Sequence, residues 1–128
     1  KPPMQGELSD AYGVNVSDSV IVNSSGIFLT STSVQGIKAL FNAEVVFSGI
    51  IDGLGNVVIL DHGDNFYSVY GNLSNISVKT KQVVRTGQVI AQSDFSPLFG
   101  SNGLYFEMRH YSQSLNPRDW IRSFHESN

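Results

Sequence analysis

The chain has 128 residues, no cysteine, and a formal net charge of −3, with 15% of its residues charged. A single domain of this size buries enough apolar surface to stand without staples, and the missing cysteines exclude both a disulfide framework and a thiolate metal site. The acidic balance counts against nucleic acid, which calls for a basic face, and no apolar run approaches the roughly 18 residues of a membrane span.

In chain order, residues 1–13 read as a lead-in, and the start at Lys1 rather than Met reads as a domain excised from a longer protein. Val20-Ile21-Val22, Gly26-Ile27-Phe28-Leu29-Thr30, Glu44-Val45-Val46-Phe47-Ser48 and Asn56-Val57-Val58-Ile59-Leu60 are short, β-branched and bounded by turn residues, and predict strands. Phe66-Tyr67-Ser68-Val69-Tyr70 alternates, with Phe66, Ser68 and Tyr70 on one face. Gln88-Val89-Ile90-Ala91 and Leu104-Tyr105-Phe106-Glu107-Met108-Arg109 follow the same pattern. Gly-rich punctuation separates them at Asp52-Gly53-Leu54-Gly55, His62-Gly63-Asp64-Asn65 and Phe99-Gly100-Ser101-Asn102-Gly103. No stretch sustains a helical period; Asn116 capping Pro117-Arg118-Asp119-Trp120-Ile121 predicts one short helical turn, and residues 123–128 read as a frayed tail. The fold class is therefore all-β, a sandwich or barrel of one domain over residues 1–128.

The three histidines, His62, His110 and His125, show no ligand spacing such as HxH or HxxxH. His62 in Asp61-His62-Gly63-Asp64 is the most ligand-like of them, and reads as a structural residue at a strand end. There is no GxSxG elbow, no phosphate-binding loop and no thiol nucleophile.

An ordered series of segments carries a resemblance. Pro3-Met4-Gln5-Gly6, Gly55-Asn56-Val57-Val58-Ile59-Leu60-Asp61-His62-Gly63, Tyr67-Ser68-Val69-Tyr70-Gly71-Asn72-Leu73, Val83-Val84-Arg85-Thr86-Gly87-Gln88-Val89-Ile90-Ala91, Leu104-Tyr105-Phe106-Glu107 and Asn116-Pro117 follow one another as in the LytM-domain (lysostaphin-like) peptidase family. The resemblance covers nearly the whole chain and implies a LytM-type β-sandwich with a groove. Active members of that family carry HxxxD, a His in a Tyr-x-His-Leu segment, and HxH before a Phe-Glu pair. A catalytic zinc needs three such ligands and an open position for water, with a further His to handle the proton. Laid on this sequence, those five positions fall at Ser24, Phe28, Asn72, Gly103 and Tyr105. None of the five supplies an imidazole or carboxylate, so the resemblance implies neither catalytic residue nor metal nor cofactor.

What replaces the site is a groove with Ser25, Phe28, Leu54, Tyr70, Asn72, Tyr105 and Arg109 as its partner-binding residues. Phe, Tyr and Arg are the types that dominate protein contacts; for Phe28, filling the space left by zinc as core is an equal alternative. The chain resembles degenerate EnvC-like and NlpD-like members of the family. That resemblance implies a non-catalytic regulator in the bacterial envelope, most naturally the periplasm. It would bind and activate an N-acetylmuramoyl-L-alanine amidase at cell separation by drawing an autoinhibitory helix into the groove. The alternatives are a pseudo-enzyme partner of an active LytM-type peptidase, or a peptidoglycan-binding module.

Overall fold

The structure, a computed structural model, describes residues 18–21, 26–31, 33–98, 100–110 and 113–115. The lead-in over 1–13, the helical turn expected at 117–121 and the tail 123–128 lie outside the described residues. Among the described residues there are strands and no helix, as the alternating patterns and close-spaced turns predict. In chain order they are β1 (Asp18–Ile21), β2 (Gly26–Ser31), β3 (Gly36–Lys38), β4 (Ala43–Ile51), β5 (Gly55–Gly63) and β6 (Phe66–Gly71), then β7 (Leu73–Ser74), β8 (Val83–Val84), β9 (Val89–Ser96), β10 (Ser101–His110) and β11 (Gln113–Leu115).

The main sheet runs in the order β1-β2-β10-β6-β5-β4-β8, every described pair antiparallel. A second, smaller layer pairs β9 with β3 and β7. The two are continuous through β9: its first half belongs to the small layer, and its end, Asp94 to Ser96, pairs with β10. One strand serving both layers leaves fewer open edges, where unpaired backbone groups would invite aggregation.

The core lies between the layers. Leu29, Val45, Val58, Leu60, Tyr70, Leu104 and Phe106 come from the main sheet, and Ile37, Leu73 and Ile90 from the small layer. Alternation decides this partition on β10, where Leu104, Phe106 and Met108 enter the core and Tyr105, Glu107 and Arg109 take the opposite face. Yet β10 is buried without a break from Gly103 to Met108. A half-solvated antiparallel strand would alternate buried with exposed, so the outer face of β10 is covered too.

The β5–β6 hairpin turns on Asp64 and Asn65, with φ of 53° and 62°. Two consecutive positive φ angles are the mark of a type I′ turn, whose twist matches that of the flanking strands; Asp and Asn tolerate that geometry. A register irregularity between Asp61 and Gly63 accompanies it and sets His62 out of the regular ladder.

Candidate functional site: the outer face of β2, β10 and β6

Three adjacent strands bring the sequence-predicted positions together. Tyr105 lies opposite Phe28 on β2 and opposite Gly71 on β6. Gly103 and Gly26 are the diagonal neighbours in the same ladder, opposite Thr30 and Glu107. The aromatic rings use those diagonals. A Cβ built on Gly103 would run into the Phe28 ring and lie 2.6 Å from the Leu29 carbonyl oxygen. One built on Gly26 would overlap the Tyr105 hydroxyl. Each strand thus offers a glycine slot to the ring of the other, and Gly71, whose added Cβ would stand 3.3 Å from Tyr105, completes the seat. The outcome is burial: Phe28 is 2% exposed and Tyr105 4%.

The polar end of Tyr105 is also committed. Its hydroxyl bonds one carboxylate oxygen of Glu107, and the Nε–H of Arg109 donates to the other at 3.0 Å. Glu107 is buried, whereas the Arg109 side chain is 39% exposed. The three residues step by two along one face of β10, so a buried carboxylate is satisfied from both sides while a guanidinium is held at the rim. Leaving such a carboxylate unpaired would cost about 3–5 kcal/mol.

Asn72 stands where the resemblance places the catalytic histidine. Its backbone is left-handed, φ 60°, a conformation Asn tolerates better than most residues. Its N–H donates to Leu54 O at 2.7 Å, and its side-chain amide donates to Asp94 O at 2.9 Å and Gly103 O at 3.0 Å. One residue fastens the β4–β5 tip, β9 and β10 to one another.

Beside these residues opens a cavity of about 150 Å³ lined by Phe28, Leu54, Asn72, Ser96, Leu98 and Tyr105, among others. Leu54 comes from the β4–β5 tip, whose sharp path uses Gly53 and Gly55 at φ 84° and 77°. Leu98 comes from the β9–β10 connection and is 83% exposed, and Phe95, just before it near the end of β9, is 51% exposed. Sequence reasoning missed Ser96, Leu98 and the structural use of Glu107. The available signal was the apolar run Pro97-Leu98-Phe99 just before Gly100, where a bland loop would be polar.

The structure brings together Phe28, Leu54, Asn72, Gly103 and Tyr105, with Arg109 farther along the same face. Tyr70 is elsewhere. It pairs with Phe106 on the core face, fully buried, its ring edge-on to Phe106 at 5.3 Å. Alternation does not carry from Tyr70 to Asn72, because the left-handed turn at Asn72 breaks it, so Tyr70 does not line the groove. Ser24 and Ser25 lie outside the described residues.

The residues present do not fit a zinc ion. Two packed rings occupy the space, the Tyr105 oxygen is tied to Glu107, and the Asn72 amide is spent on carbonyls. Among the described residues no three His, Cys, Asp or Glu side chains form a group able to hold a metal. His110 stacks on Phe66 at 3.9 Å between ring centres, and His62 is bonded to Asn42 and Ser68.

Residues 22–117 match the model of peptidase family M23. An uncharacterised protein of Neisseria meningitidis serogroup B is 37% identical over 122 residues, covering 95% of this chain and 20% of its own length. The murein hydrolase activators EnvC and NlpD of Escherichia coli K12 are 29% and 30% identical, each over 93% of this chain and over 28% and 30% of their own lengths. The chain therefore spans under a third of each of these three relatives. Among solved structures, a chain of the SpoIIIAH–SpoIIQ complex superposes with a TM-score of 0.70 at 26% identity, over 94% of this chain and 85% of that one. The catalytic domain of lysostaphin from Staphylococcus simulans superposes with a TM-score of 0.67 at 22% identity, over 77% of this chain and 78% of that one, which is a likeness of fold.

Proposed function

The chain belongs to peptidase family M23, and we propose that it works there by binding, as a regulator of a peptidoglycan hydrolase, and not by cutting. The observation that carries this reading is the seating of Phe28 and Tyr105 in the glycine slots of each other's strand, where an active member would hold metal ligands. That packing is reciprocal and complete, as expected of a face rebuilt for another use. Two relatives that bear the name murein hydrolase activator support the direction of the reading.

The finer proposal is a mechanism. The partner is an N-acetylmuramoyl-L-alanine amidase whose autoinhibitory helix leaves its active site to lie in the groove. Leu54, Leu98 and the Tyr105 ring edge supply the apolar seat, and the exposed guanidinium of Arg109 supplies a charged handle. The groove shifts the amidase only by its differential affinity for the open form; moving an equilibrium from 1:99 to 99:1 takes about 5.5 kcal/mol. A seat of a few apolar side chains with one guanidinium is of that order, at roughly 1.5–3 kcal/mol for each fully buried large side chain. Such work places the protein in the bacterial envelope, in the periplasm.

The test is binding and activation of a cognate amidase by the purified protein, then by Tyr105→Ala and Arg109→Glu. Both variants are expected to lose activation by about tenfold or more; wild-type activation by both would sink the groove assignment. A second reading, a partner of an active family member, draws on the neighbour solved in a two-protein complex. Co-purification separates the two: that reading yields an active M23 peptidase and no amidase. Sedimentation with purified sacculi in the absence of any protein partner would point to direct peptidoglycan binding.

A further inference from the structure

On the core side of the main sheet, away from the groove, a chain of hydrogen bonds joins three elements. The Leu40 N–H donates to the Tyr70 hydroxyl at 3.2 Å, the Tyr70 and Ser68 oxygens are 3.0 Å apart, and Ser68 Oγ is 2.7 Å from His62 Nε2. His62 Nδ1 ends the chain 3.0 Å from the Asn42 carbonyl oxygen. Tyr70 and Ser68 are fully buried.

The carbonyl fixes every proton in this chain. A carbonyl oxygen only accepts, so Nδ1 carries hydrogen and, in the neutral ring, Nε2 accepts from Ser68. The single Ser68 hydrogen is then spent on His62; since either hydroxyl can donate, the Ser68–Tyr70 bond in this neutral state has to use the hydrogen of Tyr70. Each donor has one acceptor. Protonation of His62 puts a hydrogen on Nε2 and forces Ser68 to turn its own toward Tyr70. The Tyr70 oxygen then receives hydrogens from both Leu40 and Ser68, and its own hydrogen loses the Ser68 oxygen as acceptor, with no other bond from it among the described residues. A buried hydroxyl without an acceptor is a cost the fold avoids by opening.

What would open is the connection between β3 and β4. Leu40 and Asn42 both lie on it, and Phe41 sets its ring edge-on to His62 at 5.8 Å. The same connection holds the small layer: Ala39 N donates to Gln88 O, Gly87 N donates to Ala39 O, and the Asn42 side chain accepts from the N–H and hydroxyl of Thr86. We propose that His62 is a pH-sensitive latch that fastens the 39–42 connection, and with it the β8–β9 turn, to the main sheet when neutral and releases them when protonated.

Among the described residues, few groups face His62. Asp61 beside it on β5 favours the charged form, with Glu44 opposite Asp61 on β4. From β6 the facing titratable group is Tyr70, reached through Ser68, and from the 39–42 connection the backbone carbonyls of Phe41 and Asn42 face it. Burial outweighs these and holds the imidazole below its ordinary value of 6.5. Burial also pushes Tyr70 up to about 12, so its hydroxyl stays protonated throughout. A lowered folded-state value means the unfolded chain takes the proton first. The latch therefore contributes fully above about pH 6.5, and its contribution is lost as pH falls through the window below that value.

The experiment is an NMR titration of the histidine ring resonances in wild type and Ser68→Ala, with thermal unfolding of wild type and His62→Gln. His62 is expected to titrate below 6.5 in wild type and to move up toward it in Ser68→Ala. From about pH 7.5 to about pH 5.5 the wild-type midpoint is expected to fall about 3–6 °C further than that of His62→Gln. Amide protection at Leu40 and Gly87 should fall over the same range, ahead of that on β10. A His62 value at or above 6.5, or the same in both proteins, overturns the proposal. So do parallel midpoints, or protection lost evenly across the molecule. If His62→Gln does not fold, the ring titration and the exchange pattern decide.

Discussion

At the scale of single residues, the two glycines facing Phe28 and Tyr105 act as half of a packing device. Gly103 has room for no Cβ, because the Phe28 ring and the Leu29 carbonyl already occupy that space. Gly103→Ala is expected to cost about 1–3 kcal/mol through overpacking, seen as a lower urea midpoint with an unchanged slope. In the background of Phe28→Ala the same change should cost less, with a coupling of about 0.5–3 kcal/mol; strict additivity would mean that the ring is not what excludes the Cβ. Asn72→Asp is the sharper case. It keeps the shape and the tolerance of φ 60° but sets a carboxylate against two carbonyl oxygens in place of an amide. A loss of about 1–3 kcal/mol is expected near neutral pH, shrinking as the solution is acidified and the new carboxyl takes a proton. A loss that does not depend on pH would place the cost in the backbone instead. The resemblance places a catalytic histidine at this position, and the sequence has Asn there. The use of the amide as a three-way fastening was not legible, since it depends on carbonyls from β9 and β10 that only the folded register brings near.

At the scale of elements, β10 and the connection before it divide the labour. The alternation Leu104-Tyr105-Phe106-Glu107-Met108-Arg109 let the two faces of β10 be read directly, and the grouping of Tyr105 with Arg109 followed from it. The same rule misplaced Tyr70, because alternation holds only while the backbone stays extended and Asn72 does not. The end of β9 and the β9–β10 connection read as ordinary punctuation, though they carry two of the exposed apolar side chains, Phe95 and Leu98. Leu98 is 83% exposed, so little folding energy rests on it. Leu98→Asp is expected to leave stability within about 0.5 kcal/mol of wild type and to weaken partner binding by about 1–2 kcal/mol, roughly five- to thirtyfold. Titration calorimetry with the partner, beside a urea melt, checks both halves. Unchanged affinity would confine the partner contact to the strands.

At the scale of the whole molecule, the order β1-β2-β10-β6 couples the ends of the described chain. Residues 26–31 find their second neighbour in residues 102–107, after every intervening strand has been made. That pairing was not readable from local pattern, because a strand's period names its faces and not its partner. It has a kinetic consequence. Loop-closure entropy must be met before the β2–β10 ladder contributes anything, which puts folding of such non-local sheets in the range of about milliseconds to seconds. It also has an equilibrium consequence. β9 belongs to both layers, Asn72 fastens β9 to β10, and the aromatic seat at Phe28 and Tyr105 exists only when β2 and β10 are paired. The groove therefore cannot melt by itself near neutral pH. Urea unfolding followed by far-ultraviolet circular dichroism, which reports all strands, should coincide with unfolding followed by the ring resonances of Tyr105, which report the groove. Two separated transitions would show that the outer face is an independent unit, and a partner could then bind by ordering it. A single one means that the outer face is already formed before any partner arrives, so that none of a partner's binding free energy would go into ordering it.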